Sequence, residues 1–239
     1  MNTIAQQSLA SIVKENHRAA GILEKYNVDF CCKGKRTLTE ACTEKNLPVE
    51  EIIVELNNTG ERNIEQMPFD EMDPEQLIGY IVTHHHFYVK QALPNIYQRI
   101  NKVATKHGDR FPYMIKVLEL FTAICADLNL HMEKEERVLS PHIKELYALS
   151  NRQEQHAIDA NFIEHPIHVI EAEHEHSGNI MHEIRRLTNN YTAPDNACTT
   201  FRVCLAELKE FEEDLHQHVH LENNILFPVI DKIVSKKTV

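Results

Sequence analysis

The chain has 239 residues, is 42% hydrophobic, and carries a formal net charge of −11. It is long enough for one large domain or a domain with a small appendage, and its acidity argues against a general nucleic-acid binder. No apolar run reaches the roughly 18–20 residues that a membrane-spanning helix needs. The opening Met1-Asn-Thr-Ile-Ala-Gln-Gln-Ser8 has neither the basic start nor the apolar region of a secretory signal.

In chain order, Leu9, Ile12 and Val13 through Ala19, Ala20, Ile22 and Leu23 predict one amphipathic helix ending at Tyr26-Asn27. A loop follows, Val28-Asp-Phe-Cys31-Cys32-Lys-Gly-Lys35. Thr37 or Thr39 can cap a short second helix with Glu40 in its first turn. Pro48 opens a third, which runs out at Asn57-Asn58-Thr59-Gly60. Residues 1–60 therefore read as a small helical domain, residues 61–72 as a polar linker, and residues 73–239 as four long helices. The first of these starts at Asp73-Pro74-Glu75-Gln76, an Asp cap with Pro at the first helical position and Gln three residues on. Pro112 opens the second, running to Pro141. Pro166 opens the third, and the Pro194-Asp195 region the fourth. The polar stretch 150–164 is the long connection. The expected class is all-α, with a four-helix bundle as its main part.

The strongest signal lies inside those helices. His131-Met-Glu-Lys-Glu135 leads to Pro141, and His218-Val-His-Leu-Glu222 leads to Pro228; His, Glu and Pro each repeat at an offset of 87 residues. His86 lies 45 residues before His131, and His174 lies 44 before His218. Residues four apart share a helix face. His131 and Glu135 share theirs with Ile124, Leu128, Val138 and Leu139. His218 and Glu222 share theirs with Leu208, Phe211, Leu215, Ile225, Leu226 and Val229. His174 goes with Ile167, Ile170 and Met181. Two carboxylates on core faces need compensation, and a cation supplies it. Four imidazoles and two carboxylates over two metals suit a carboxylate-bridged di-iron centre better than a closed zinc site. If Glu135 and Glu222 both bridge and each iron takes two histidines, an oxo or hydroxo bridge still leaves one open position per iron for O2 or NO.

The first ligand is contested. Periodicity demotes His84 and leaves His85 (with Ile81, Ala92 and Ile96) nearly equal to His86 (with Val82, Val89 and Leu93). The 88-residue offset to His174 favours His86. His216 and His220 fall near the opposite face from His218, and His165, His168, His176 and His182 scatter around their helix. Glu173 is a weaker candidate to support the site. Gly178, one turn after His174, leaves either a channel or simple helix packing. Of the six cysteines, Cys31 and Cys32 suit neither a disulfide framework nor a zinc pattern. Lys33, Lys35 and Arg36 beside them would depress a thiol pKa. Cys42, Cys125, Cys198 and Cys204 fall on helical segments and read as core packing.

With these residues in view, the chain resembles the iron–sulfur cluster repair di-iron proteins. The His-x3-Glu pairs look like a hemerythrin-like domain. The stretch Tyr26-Asn-Val-Asp-Phe-Cys31-Cys32-Lys-Gly-Lys-Arg-Thr-Leu38 looks like the vicinal-cysteine module that precedes it. The resemblance spans essentially the whole chain and places the six iron ligands on His86, His131, Glu135, His174, His218 and Glu222. Oxygen-carrying hemerythrins have an extra histidine, so the chain departs from them toward the repair proteins. The resemblance implies a cytoplasmic stress protein holding two iron ions. It would restore iron–sulfur clusters damaged by nitrosative or oxidative stress, by supplying iron or by reacting NO at the site. Its partners would be damaged iron–sulfur proteins and the small molecules NO and O2, with no nucleic acid or membrane, and its state monomer or homodimer. Cys31 and Cys32 would serve redox chemistry or transfer of iron or NO. An O2- or NO-binding sensor or carrier, and an NO reductase or peroxidase, are the alternative readings.

Overall fold

A computed structural model describes residues 4–16, 18–58, 69–151 and 161–237. Most of the expected linker falls on 59–68, and most of the expected long connection on 152–160; both stretches lie outside the described residues.

The N-terminal part holds four short helices: α1 (Leu9–Glu15), α2 (Ala19–Lys25), α3 (Leu38–Lys45) and α4 (Val49–Asn58). The single helix expected over Leu9–Leu23 is broken at Asn16, which is extended. Its side-chain oxygen accepts from the Arg18 amide at 3.1 Å, offering the backbone a local partner that competes with the helical ladder. Asn27 ends α2 in the left-handed region at φ 55°, which Asn tolerates. Thr37, not Thr39, caps α3 in a reciprocal box with Glu40.

Among the described residues the bundle has four helices. α5 (74–107) begins with the expected box of Asp73 and Gln76. α6 (113–150), α7 (Asn161–Leu187) and α8 (199–237) complete it. Neighbouring helices pack in the cycle α5, α6, α7, α8. α7 starts before Pro166, because the buried stripe Ile163, Ile167, Ile170 extends through it and outweighs one lost backbone bond. α8 starts later than expected, at Thr199, since Arg202 ties down the preceding turn through the Asp195 carbonyl at 2.8 Å.

Three π-turns interrupt the described bundle helices, at Val82–His86, Glu135–Leu139 and Glu222–Leu226. Such turns insert residues into the helical register and gather at functional sites. Here they explain why α6 continues past Pro141 to Ser150: the ladder is already loosened where the missing N–H falls. They also rotate the apolar face. Val138 and Val229, expected inside, are 45% and 37% exposed, while their neighbours Leu139 and Ile230 are buried.

Two apolar clusters form the core. One joins the N-terminal helices (Leu9, Leu23, Phe30, Leu38) to the bundle (Ile96, Phe121, Phe201, Phe211). The other fills the far end with Leu77, Ile81, Ile143, Ile170, Leu226 and Ile230. Between them, along the bundle helices, lies a layer of buried polar side chains.

Candidate metal centre

Six residues form the centre of that layer. His86 comes from α5, His131 and Glu135 from α6, His174 from α7, and His218 and Glu222 from α8; all are buried. Their donor atoms fall into two sets of four, each within 4.8 Å: His86, Glu135, His218 and Glu222, and His131, Glu135, His174 and Glu222. Glu135 turns Oε2 toward His86 Nε2 (3.2 Å) and Oε1 toward His131 Nε2 (3.1 Å). Glu222 turns Oε1 toward His218 Nε2 (3.4 Å) and Oε2 toward His174 Nε2 (3.1 Å). Each carboxylate thus straddles the two sets.

The electrostatics are those of a cation site. Both Glu135 oxygens, Glu222 Oε2, and Nε2 of His86 and His218 are buried without hydrogen-bond partners among the described residues. Unpartnered buried carboxylates and imidazole nitrogens are expensive, and this donor set fits two metal ions. Burial opposes ionisation of Glu135, yet His131, His174 and His86 hold it well below the ordinary carboxylate range. Burial also opposes the charged form of His174, but Glu135 and Glu222 raise it to about 10. For His218, burial prevails and lowers it.

Three of the four remaining ring nitrogens are oriented by an outer layer. His86 Nδ1 donates to Glu136 at 2.8 Å, His131 Nδ1 to Glu173 at 3.0 Å, and His174 Nδ1 to Asn223 Oδ1 at 2.9 Å. These bonds fix the tautomer that leaves Nε2 free to bind a metal. Lys90 and Lys134 pair with Glu136 and Glu173. The sequence reading anticipated Glu173 but missed Glu136 and Asn223. The signal was there: Glu136 directly follows Glu135 and Asn223 directly follows Glu222, at the same 87-residue offset.

His85 is also buried, but its Nδ1 donates to Asp214 at 2.9 Å and it belongs to neither donor set. The near-tie between His85 and His86 has a physical source. Upstream of the π-turn Ile81 is the buried residue, four before His85, whereas downstream Val89 and Leu93 are buried on the face of His86. His216 and His220 meet the edge of Phe30 and so help seat the N-terminal helices. His176 faces Asp127 on the surface.

The vicinal-cysteine loop lies against the bundle beside this centre. Asp29 Oδ1 accepts from the amides of Cys31 and Cys32, both at 3.0 Å, and Asn224, in the π-turn of α8, donates to the Cys31 carbonyl at 3.1 Å. Gly34 is required there: a Cβ would strike the Phe30 carbonyl oxygen and come within 3.1 Å of Asn224. The two sulfurs are 3.8 Å apart. The hydrogen bond that Cys31 donates to Cys32, together with burial, pushes the Cys31 pKa well above that of an ordinary thiol. The same bond, with His174 and His216, lowers Cys32 against its burial. Only one thiol is lowered, and the expected basic neighbours are not the cause. Cys32 opens on a 230 Å³ cavity also lined by Asp29, Lys33, Gly178, His182 and His216. A Cβ on Gly178 would meet only Cys32 Sγ, at 3.6 Å, so this glycine leaves room beside the cysteine. Cys42 and Cys204 are buried as expected; Cys198 instead is exposed, stands at the residue before α8 without a capping bond, and its sulfur sits 3.4 Å from His107.

Comparison with known proteins agrees with this geometry. Residues 77–230 match the hemerythrin HHE cation binding domain, and residues 5–59 match a domain of unknown function, DUF542. The chain is 33% identical over 222 residues to the iron-sulfur cluster repair protein YtfE of Shigella boydii, covering 93% of this chain and 95% of that one. It is 34% identical to the YtfE protein of Dickeya chrysanthemi, with the same coverage. A probable iron-sulfur cluster repair protein of Haemophilus influenzae is 34% identical over 229 residues, covering 95% and 97% of the two chains. The chain belongs to the iron–sulfur cluster repair family. Its hemerythrin HHE part is the four-helix bundle around the two donor sets, and its DUF542 part carries the cysteine loop. Among the described residues, no helix is long and apolar enough to cross a membrane.

Proposed function

We propose that the chain holds two iron ions between its four bundle helices, bridged by Glu135 and Glu222, and repairs iron–sulfur clusters damaged by nitrosative or oxidative stress. The observation that carries this reading is the division of labour at the two carboxylates, each with one oxygen for each histidine pair. His86 and His218 would hold one iron, His131 and His174 the other, with an oxo or hydroxo group completing the bridge. Bound iron would supply redox chemistry and a source of metal. The protein supplies the rest. Buried carboxylates would offset part of the cations' charge, and Glu136, Glu173 and Asn223 hold three rings in the metal-binding tautomer. The apolar clusters on either side exclude bulk water.

A 10 Å³ cavity touches His86, Glu135 and Glu222 and is otherwise lined mainly by apolar side chains such as Ile78, Ile81, Leu139 and Phe227. It favours a second reading, binding or reduction of NO or O2 at the same centre, because an apolar-lined space about the size of a single water already reaches three of the candidate ligands. Cys32, with the lowered thiol pKa, is the proposed acceptor for iron or NO leaving the site, and Cys31 its proton-holding neighbour. The division into residues 1–60, 61–72 and 73–239 then has a purpose: the first part presents the cysteines and the last holds the metals. The proposed setting is the cytoplasm, where thiols stay reduced, and the proposed targets are damaged iron–sulfur proteins.

The test is reactivation of an iron–sulfur hydratase inactivated by NO. The iron-loaded protein should restore activity beyond an equal amount of free ferrous ion. Cys31→Ala/Cys32→Ala should keep the iron but restore less. No gain over free iron refutes the repair reading, and undiminished repair by the double variant refutes the role of the cysteines.

A further inference from the structure

The outer layer follows the internal repeat, and the repeat fails at one place. Glu136 and Asn223 occupy matching positions at an offset of 87 residues and serve the matching histidines His86 and His174. The partner of His131 is Glu173, the residue directly before His174. The matching position directly before His86 is His85, and that side chain is turned away to Asp214. Its ring lies parallel to that of His218 with centroids 5.7 Å apart, and it gives His218 no acceptor. His218 Nδ1 is buried without a hydrogen-bond partner among the described residues. When Nε2 of His218 binds a metal, Nδ1 must carry the proton, and no described residue accepts from that N–H.

We infer that the two halves of the centre are unequal by construction, the His86/His218 half holding its metal more weakly than the His131/His174 half. His85 is the positioning residue that sets the difference. This rests on the di-iron reading above and adds which iron leaves first. Losing one outer partner of a metal-bound histidine costs about 10- to 100-fold in affinity, and the two halves differ by one such partner. Both halves share Glu135 and Glu222, and each has one histidine backed by a carboxylate, so those contributions cancel.

The experiment is anaerobic equilibrium competition between the full-length ferrous protein and a ferrous chelator. Two steps of one iron each are expected, separated by about 10- to 100-fold in chelator strength. His218→Ala should keep the tighter iron and His131→Ala the weaker one, with folding checked by circular dichroism. His85→Gln supplies the assay that does not depend on deleting a ligand. Its amide can donate to Asp214 and accept from His218, so the weaker step should move toward the tighter one. Loss of both irons in a single step, or retention of the tighter iron by His131→Ala, overturns the inference. An unmoved weak step in His85→Gln overturns the role of His85. Failure to take up two irons at all sinks the di-iron reading itself, which is a separate outcome.

Discussion

Glu212 fixes Arg185, which in turn ties the bundle to the N-terminal part at Asn27. Its buried carboxylate accepts from Arg185 Nε at 2.7 Å and Nη2 at 2.6 Å and from the Tyr191 hydroxyl at 2.7 Å. Arg185 Nη1 reaches on to Asn27 Oδ1, just ahead of the cysteine loop. Glu212→Leu nearly preserves volume, so its cost is electrostatic and not a void. Removing one member of a buried pair costs about 3–5 kcal/mol, and the Tyr191 hydroxyl left without a partner adds about 1–3 kcal/mol. Arg185 keeps Asn27 and is 12% exposed, which lets water recover part of the loss. We therefore expect a net loss of about 3–4 kcal/mol, read as a drop of about 6–15 °C in the Tm of the metal-free protein for a chain of this size. Circular dichroism melting reads it directly. Arg185→Met/Glu212→Leu removes both charges and should regain part of that loss, since a buried pair is replaceable by apolar packing. A shift under about 2 °C for the single variant, or a double variant less stable than the single, would refute the clamp.

Three further outcomes are expected. Glu222→Leu removes one ligand atom from each half of the site and should leave less than one metal per chain by elemental analysis; retention of both would end its bridging role. Alkylation mapped by mass spectrometry should modify Cys32 before Cys31. The pH midpoint for Cys32 should lie below the ordinary thiol value of 9.0, because a lowered pKa keeps the thiolate present at lower pH; prior labelling of Cys31 would contradict the assignment. Gly34→Ala forces a methyl group against the Phe30 carbonyl and should cost about 1–3 kcal/mol by overpacking, seen in denaturant unfolding, and a neutral result would mean the loop can shift freely.

The six residues that converge in the buried polar layer were legible because a half-site written twice leaves its spacing in the sequence, and because carboxylates on apolar faces are costly enough to stand out. The family likeness pointed to the same residues. Helix boundaries were less legible. The extension of α7 before Pro166 depends on Ile163 joining a buried stripe, and the break at Asn16 on one side-chain bond. The π-turns were invisible to a reading that assumed 3.6 residues per turn throughout. They misplaced Val138 and Val229, and they produced the tie between His85 and His86. The thiol asymmetry of Cys31 and Cys32 depends first on the hydrogen bond between the two sulfurs, and then on burial and on His174 and His216 from two other helices. No local pattern of charge encodes that.

The central claim is a two-metal centre with two bridging carboxylates, and its most direct test is iron content per chain. The protein should be purified anaerobically from iron-supplemented cells and measured by elemental analysis. The account predicts about two irons per chain, one for each set of two histidines and two shared carboxylates. Zinc in their place, or less than one metal per chain, would contradict it.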